Sequence, residues 1–151
     1  MRKAFHVIRP FLLPVLTVAL LLFIFSNSAQ TAGNSTGKSG PIVRAFAEFL
    51  SRLFHADVSE NVLTHVIRKL AHMGEFSALS FLMSLSVLQR RKRLRPARFE
   101  IWLACLFAGL TDEFIQTFFA GRSPEVADVM IDFAGALVGY YLVALIFRKR
   151  K

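Results

Sequence analysis

One cysteine, Cys105, is all the chain carries, and it lies inside an apolar run. That excludes an internal disulfide framework and a cysteine-rich metal site. Acidic residues are also scarce, with 10 Asp and Glu against 19 Lys and Arg and a formal net charge of +9. A cationic excess can signal nucleic acid, but the distribution argues otherwise. Most cations fall in three clusters, namely Arg2, Lys3 and Arg9, then residues 90–98, then residues 148–151. Each cluster flanks an apolar segment, which is the mark of membrane topology rather than of a nucleic-acid face. No internal repeat of the kind transporters carry is evident.

What the chain has in quantity is apolar: 54% hydrophobic residues, 16 Phe in 151 residues and a mean hydropathy of +0.49. A soluble domain of this length is less apolar, so a compact, all-α membrane protein is expected. Lipid leaves free backbone groups unsatisfied, and about 20 apolar residues cross it as a helix. Four such windows are read, at about residues 11–25, 66–88, 99–119 and 126–147. The first is short and follows a basic stretch, as a cleaved leader would. "SNSAQTAG" offers no clean small-x-small site, and a retained span is the reading adopted. The whole chain is read as a single membrane domain, 1–151, with an outer loop at 26–62 and a basic loop at 89–98.

Orientation follows from the clusters. With four spans, the N-terminus, "QRRKRLRPAR" and "RKRK" fall on one side, which the positive-inside rule makes cytoplasmic. Nine of the ten acids lie toward the other side, Glu100 being the exception. In the outer loop, Ile42, Val43, Phe46, Phe49, Leu50, Leu53 and Phe54 recur at helical spacing with Arg44, Glu48 and Arg52 between them. That pattern predicts an amphipathic interfacial helix, or equally a helix packed over the bundle mouth.

Several ionisable residues share one depth. In "HVIRKLAHMGEF", His65, Arg68, His72 and Glu75 are spaced three, four and three apart, on one helix face with Lys69 beside it. Asp112, Glu113 and Gln116 end the third span, Asp128 and Asp132 open the fourth, and Arg122 sits in the connecting loop. An ionised group at the bilayer centre costs roughly 2.5–3.5 kcal/mol on insertion scales, so such groups are expected to face inward and pair. The acids outnumber the fixed cations, leaving protonated carboxyls, a charged His72, a bound cation or a cationic ligand group to complete the balance. Gly135-x-x-x-Gly139 permits close helix approach within the bundle. Pro124 and Glu125 suit the start of the fourth helix, with Ser123 as a candidate cap. A turn needs no guanidinium at Arg122, whereas a phosphate or carboxylate would use its fork.

Three functions fit these residues. A binding module would use Arg68, Lys69 and Arg122 for anionic groups, with His72, Glu75, Asp112, Glu113, Gln116, Asp128 and Asp132 orienting those cations or meeting an amine. An enzyme would use His72, Glu75, Asp112 or Glu113 as acid and base, or hold a divalent metal with His72, Glu75 and Asp112. No Ser or Cys nucleophile lies in the cluster, since Cys105 is deeper in its span. A structural or partner-binding role would need the network only to fix helix register. No cofactor is named by these residues.

The combined pattern resembles the VanZ-like membrane proteins. Lys69, His72, Glu75 and Phe76 match a Lys-x-x-His-x-x-Glu-aromatic stretch. Asp112, Glu113, Gln116 and Phe118 match Asp-Glu-x-x-Gln-x-Phe, and Gly121, Arg122, Asp128, Gly135 and Gly139 match the Gly-Arg and Asp-rich glycine-containing helix. Asp132 stands where Asn or Asp is expected, and "FSNSAQTAGNST" also looks like the family. The resemblance implies a bacterial cell-envelope protein; with the spans, a multi-pass protein of the cytoplasmic membrane is expected, and the binding-module reading makes a membrane lipid, a lipid-linked cell-wall precursor or a lipoglycopeptide antibiotic the expected partner. The family's name-giving member is linked to raised teicoplanin resistance; members also occur outside resistance gene clusters.

Overall fold

A computed structural model of the protein describes residues 2–29, 45, 59–119 and 124–147, and side chains from residue 11 onward within them. Apart from residue 45, the expected amphipathic segment at 42–54 lies outside these residues, as do Gly121, Arg122 and Ser123. Four α-helices and no strand are present among the described residues: α1 Arg2–Ser28, α2 Glu60–Arg91, α3 Arg98–Gln116 and α4 Val126–Ile146. A 3-10 turn, Arg95–Ala97, with Pro96 in its first positions, links α2 to α3.

Helix ends follow local chemistry more than the apolar windows. α2 begins at Glu60, ahead of the apolar window, because a helix can continue into water where polar residues cover its exposed face. It stops at Lys92, whose φ of 57° is left-handed and whose N–H donates to the Leu88 carbonyl at 3.0 Å. Lys92 thus takes the position usually given to Gly at a helix C-terminus. α3 ends at Gln116 rather than reaching residue 119. There the N–H groups of Thr117, Phe118 and Phe119 turn back to Phe114, Ile115 and Gln116, and the Thr117 hydroxyl also donates to the Phe114 carbonyl.

Three helices are long and apolar enough to cross a membrane: α1 over Phe11–Ser28, α2, and α4. α3 carries Arg98, Glu100, Asp112 and Glu113 in 19 residues, which breaks its apolar run. Two of those four charges, Asp112 and Glu113, are buried against the other helices. The outer face of α3 is an unbroken apolar stripe of exposed Phe99, Leu103, Phe107, Leu110 and Phe114. Exposed Phe11, Val15, Leu22, Met130, Tyr141 and Leu145 extend this apolar surface over α1 and α4, far more than a soluble monomer shows.

The core runs from Ile24 and Phe76 through Leu79, Ile101, Cys105 and Ala136 to Tyr140 and Val143. α2 and α4 approach most closely. A Cβ added at Gly135 would stand 2.2 Å from the Met73 carbonyl oxygen, and one at Gly139 would stand 2.0 Å from that of Ser77. Because Met73 and Ser77 ascend α2 as Gly135 and Gly139 ascend α4, these two helices run in the same direction. α3 runs against both, since Cys105 meets Met83 while Asp112 meets His72, and Trp102 meets Tyr140 while Glu113 meets Glu125. The C-terminal ends of α1 and α3 and the N-terminal halves of α2 and α4 therefore gather at one end of the bundle.

Candidate functional site

That end is polar inside. Asp112 is fully buried on α3, and its Oδ2 accepts from Ser28 Oγ of α1 at 2.7 Å and from Gln116 Nε2 one turn on at 2.9 Å. Gln116 Nε2 also reaches Glu113 Oε1 at 3.2 Å. One amide thereby holds two neighbouring carboxylates in fixed rotamers. Glu113 Oε2 accepts the backbone N–H of Glu125 at 2.8 Å. Glu125 is the residue at the start of α4, where backbone N–H groups lack intrahelical partners and the helix dipole favours an anion. A carboxylate from another helix thus accepts at the start of α4, and Glu125 makes no side-chain cap of its own.

From α2, Lys69 Nζ donates to Glu125 Oε2 at 3.1 Å and to Asp128 Oδ1, tying α2 to the first turn of α4. Glu75 Oε1 accepts from Asn27 Nδ2 of α1 at 3.3 Å. His72 Nδ1 stands 3.9 Å from both Glu75 Oε2 and Asp112 Oδ2, beyond hydrogen-bond distance but close enough to feel both charges. Arg68 lies one turn before, its guanidinium 3.5 Å from His65 Nδ1 at the exposed end. Asp132 is buried on α4 opposite Gly109 of α3, where an added Cβ would stand 3.6 Å from the Asp132 Cβ.

These groups line a small pocket among α2, α3 and α4, bounded by Arg68, Lys69, His72, Glu113, Gln116, Asp128, Ile131 and Asp132. Its free volume of about 10 Å³ holds about one water-sized body. Of the candidate site residues read from the sequence, all except Arg122 are described, and they gather at this end of the bundle. Glu75 and Asp112 stand just behind the pocket, joined to it through His72 and Gln116. The contribution of α1 is not apparent from the sequence. Asn27 and Ser28 read there as the opening of a polar loop, yet both donate to carboxylates of other helices. The available signal was two consecutive donors, Asn27 and Ser28, at the depth where the other helices place acids.

Glu113 provides a direct check on this arrangement. Glu113→Leu removes the acceptor at the start of α4 and is expected to cost about 1–2 kcal/mol, read as a lower thermal midpoint in detergent. Glu113→Gln keeps an acceptor oxygen and is expected to cost under about 1 kcal/mol.

An apolar-faced helical bundle with an inward-turned cluster of carboxylates, a histidine and two cations at one end defines a membrane protein built around a polar recess. The chain belongs to the VanZ-like family, since the family model described as VanZ/LLP1 matches residues 13–148, nearly its whole length. No curated protein and no solved structure shows significant similarity to it.

Proposed function

We propose that the protein is a four-span component of the bacterial cytoplasmic membrane that binds the phosphate-bearing headgroup of a lipid or lipid-linked cell-wall precursor in its polar recess. The observation carrying this reading is the pocket itself. It sets Arg68 and Lys69 beside carboxylates at one end of a bundle whose flanks are apolar, as a headgroup with its tail in lipid requires. Arg68, Lys69 and Arg122 take the anionic part, and Glu75, Asp112, Glu113, Asp128 and Asp132 hold those cations in place or meet an amine. The exposed stripe on α3 supports counting it as the fourth span, with its two deep charges satisfied internally. The basic loop after α2 and the basic C-terminus then lie in the cytoplasm and the recess opens to the outer leaflet. The resemblance to the teicoplanin-resistance protein extends the proposal to a lipoglycopeptide, whose charged groups and lipid tail suit the same recess.

Native mass spectrometry of detergent-purified protein tests this. Wild type is expected to retain a phosphate-bearing lipid, and Lys69→Ala and Arg122→Ala are expected to retain at least about 10-fold less, the loss of a charge-assisted contact. Equal retention by all three proteins, or none by wild type in a detergent shown to preserve bound lipid, would refute the headgroup reading. Unchanged teicoplanin susceptibility on deletion and overexpression of the gene would remove the antibiotic extension alone.

A further inference from the structure

Among the described residues, the floor of the recess carries more carboxylates than cations to pair with them. Lys69 is already shared between Glu125 and Asp128, and no fixed cation among the described residues is in ion-pair contact with Asp112 or Asp132. Each of these two aspartates is at most 1% exposed, and each buries one oxygen, Oδ1, with no hydrogen-bond partner among the described residues. A buried, unpaired carboxylate oxygen is costly. Its presence twice in one spot calls for a positive occupant.

The geometry points to a divalent metal ion held by His72, Asp112 and Asp132. One donor atom from each of these three residues can be chosen so that all lie within 4.8 Å of one another. Ligands around one octahedral cation with bonds of about 2.1–2.2 Å stand roughly 3 Å apart when adjacent and about 4.3 Å apart when opposite. Side-chain rotations that draw the three donors together from their present separations, 3.9 Å between His72 Nδ1 and Asp112 Oδ2, therefore close the site. Two carboxylates and one imidazole form a mainly hard donor set, which favours Mg²⁺ or Mn²⁺ over zinc. Ser28 and Gln116, by holding Asp112 Oδ2 at 2.7 and 2.9 Å, fix the carboxylate while leaving Oδ1 to serve as ligand. Three protein ligands leave coordination positions for water or for a ligand phosphate. A bound cation would relieve the repulsion an anionic headgroup meets from the surrounding acids. The metal site goes beyond the headgroup proposal, because the three residues bind the cation with no lipid present.

The test is Mn²⁺ binding to chelator-treated, lipid-stripped protein in detergent, followed by the loss of the free-ion electron paramagnetic resonance signal and by the thermal midpoint. Wild type is expected to take up one Mn²⁺ per chain with saturation, to melt higher with Mn²⁺ present, and to release the ion to excess Mg²⁺. Asp132→Asn and His72→Ala are expected to bind at least about 10-fold more weakly. Asp132→Asn is nearly isosteric and removes a buried charge, so the fold is expected to survive without metal, which circular dichroism checks. Glu100→Gln, paired with Arg91 at the opposite end of the bundle, is expected to bind as wild type does. Absence of saturable uptake overturns the site, as does equal affinity in Asp132→Asn and His72→Ala, or equal weakening in Glu100→Gln. Lipid retention measured by mass spectrometry is scored separately, so either proposal can fail while the other stands.

Discussion

Gly139→Leu is expected to prevent the protein from accumulating in folded form, and Gly139→Ala to destabilise it by at least about 3 kcal/mol, at the upper end of what overpacking costs. The reason is the identity of the obstructing atom. A Cβ at residue 139 would sit 2.0 Å from a main-chain carbonyl oxygen, that of Ser77, and 3.0 Å from the Phe81 nitrogen. No side-chain rotamer change can clear backbone, so α2 and α4 would have to separate along their contact. Gly135→Ala meets the same obstacle at Met73 and is expected to behave alike. Gly74 supplies the contrast, because an added Cβ there meets nothing within 4 Å. Gly74→Ala is expected to be neutral or to stabilise by about 0.5–1 kcal/mol through higher helix propensity. Thermal unfolding of the four variants in one detergent reads the series. Equal midpoints for Gly139→Ala and Gly74→Ala would contradict the close α2–α4 approach.

A chain lacking residues 1–28, as removal of a leader would produce, is expected to yield no stable bundle. α1 supplies Ile24 to the core, and Asn27 and Ser28 donate to Glu75 and Asp112. Without α1, the buried Asp112 keeps only the Gln116 donor among the described residues, and the groove that held Ile24 is opened. A single-residue version isolates the polar part. Ser28→Ala deletes a hydrogen bond to a buried carboxylate and is expected to cost about 1.5–3 kcal/mol. Size-exclusion profiles of the truncated chain and thermal midpoints of Ser28→Ala provide the measurements. A monodisperse truncated protein that melts like the intact one would show that α1 is dispensable.

The residues most legible in the sequence were those whose spacing alone determines their neighbours. Arg68, Lys69, His72 and Glu75 share a helix face by arithmetic, and Gly135 and Gly139 announce a close approach because they are one turn apart among larger residues. The cost of burying charge in lipid then turns Asp112 and Asp132 inward before any packing is known. What the sequence leaves hidden is which helix answers each charge. Ser28 meets Asp112 across 84 positions and Asn27 meets Glu75 across 48, and no periodic pattern links residues so far apart. Glu113 illustrates a further limit. Its approach to the backbone of Glu125 depends on how the α3–α4 connection brings the second helix back, which composition does not encode. The extents of α2 and α3 departed from the apolar windows for a related reason, since capping and turn hydrogen bonds, rather than hydropathy, end a helix.

The paired glycines on α4 also bear on how the recess opens. With main chain against main chain at Gly135 and Gly139, α2 and α4 have no compressible side-chain layer along that seam and behave as one stiff unit. Any widening large enough to admit a headgroup must come from displacement of α3 or α1, whose contacts with that unit are made through side chains. On the headgroup proposal, the route into the recess would run sideways from the bilayer, past the movable pair, with the glycine seam as its hinge-side wall.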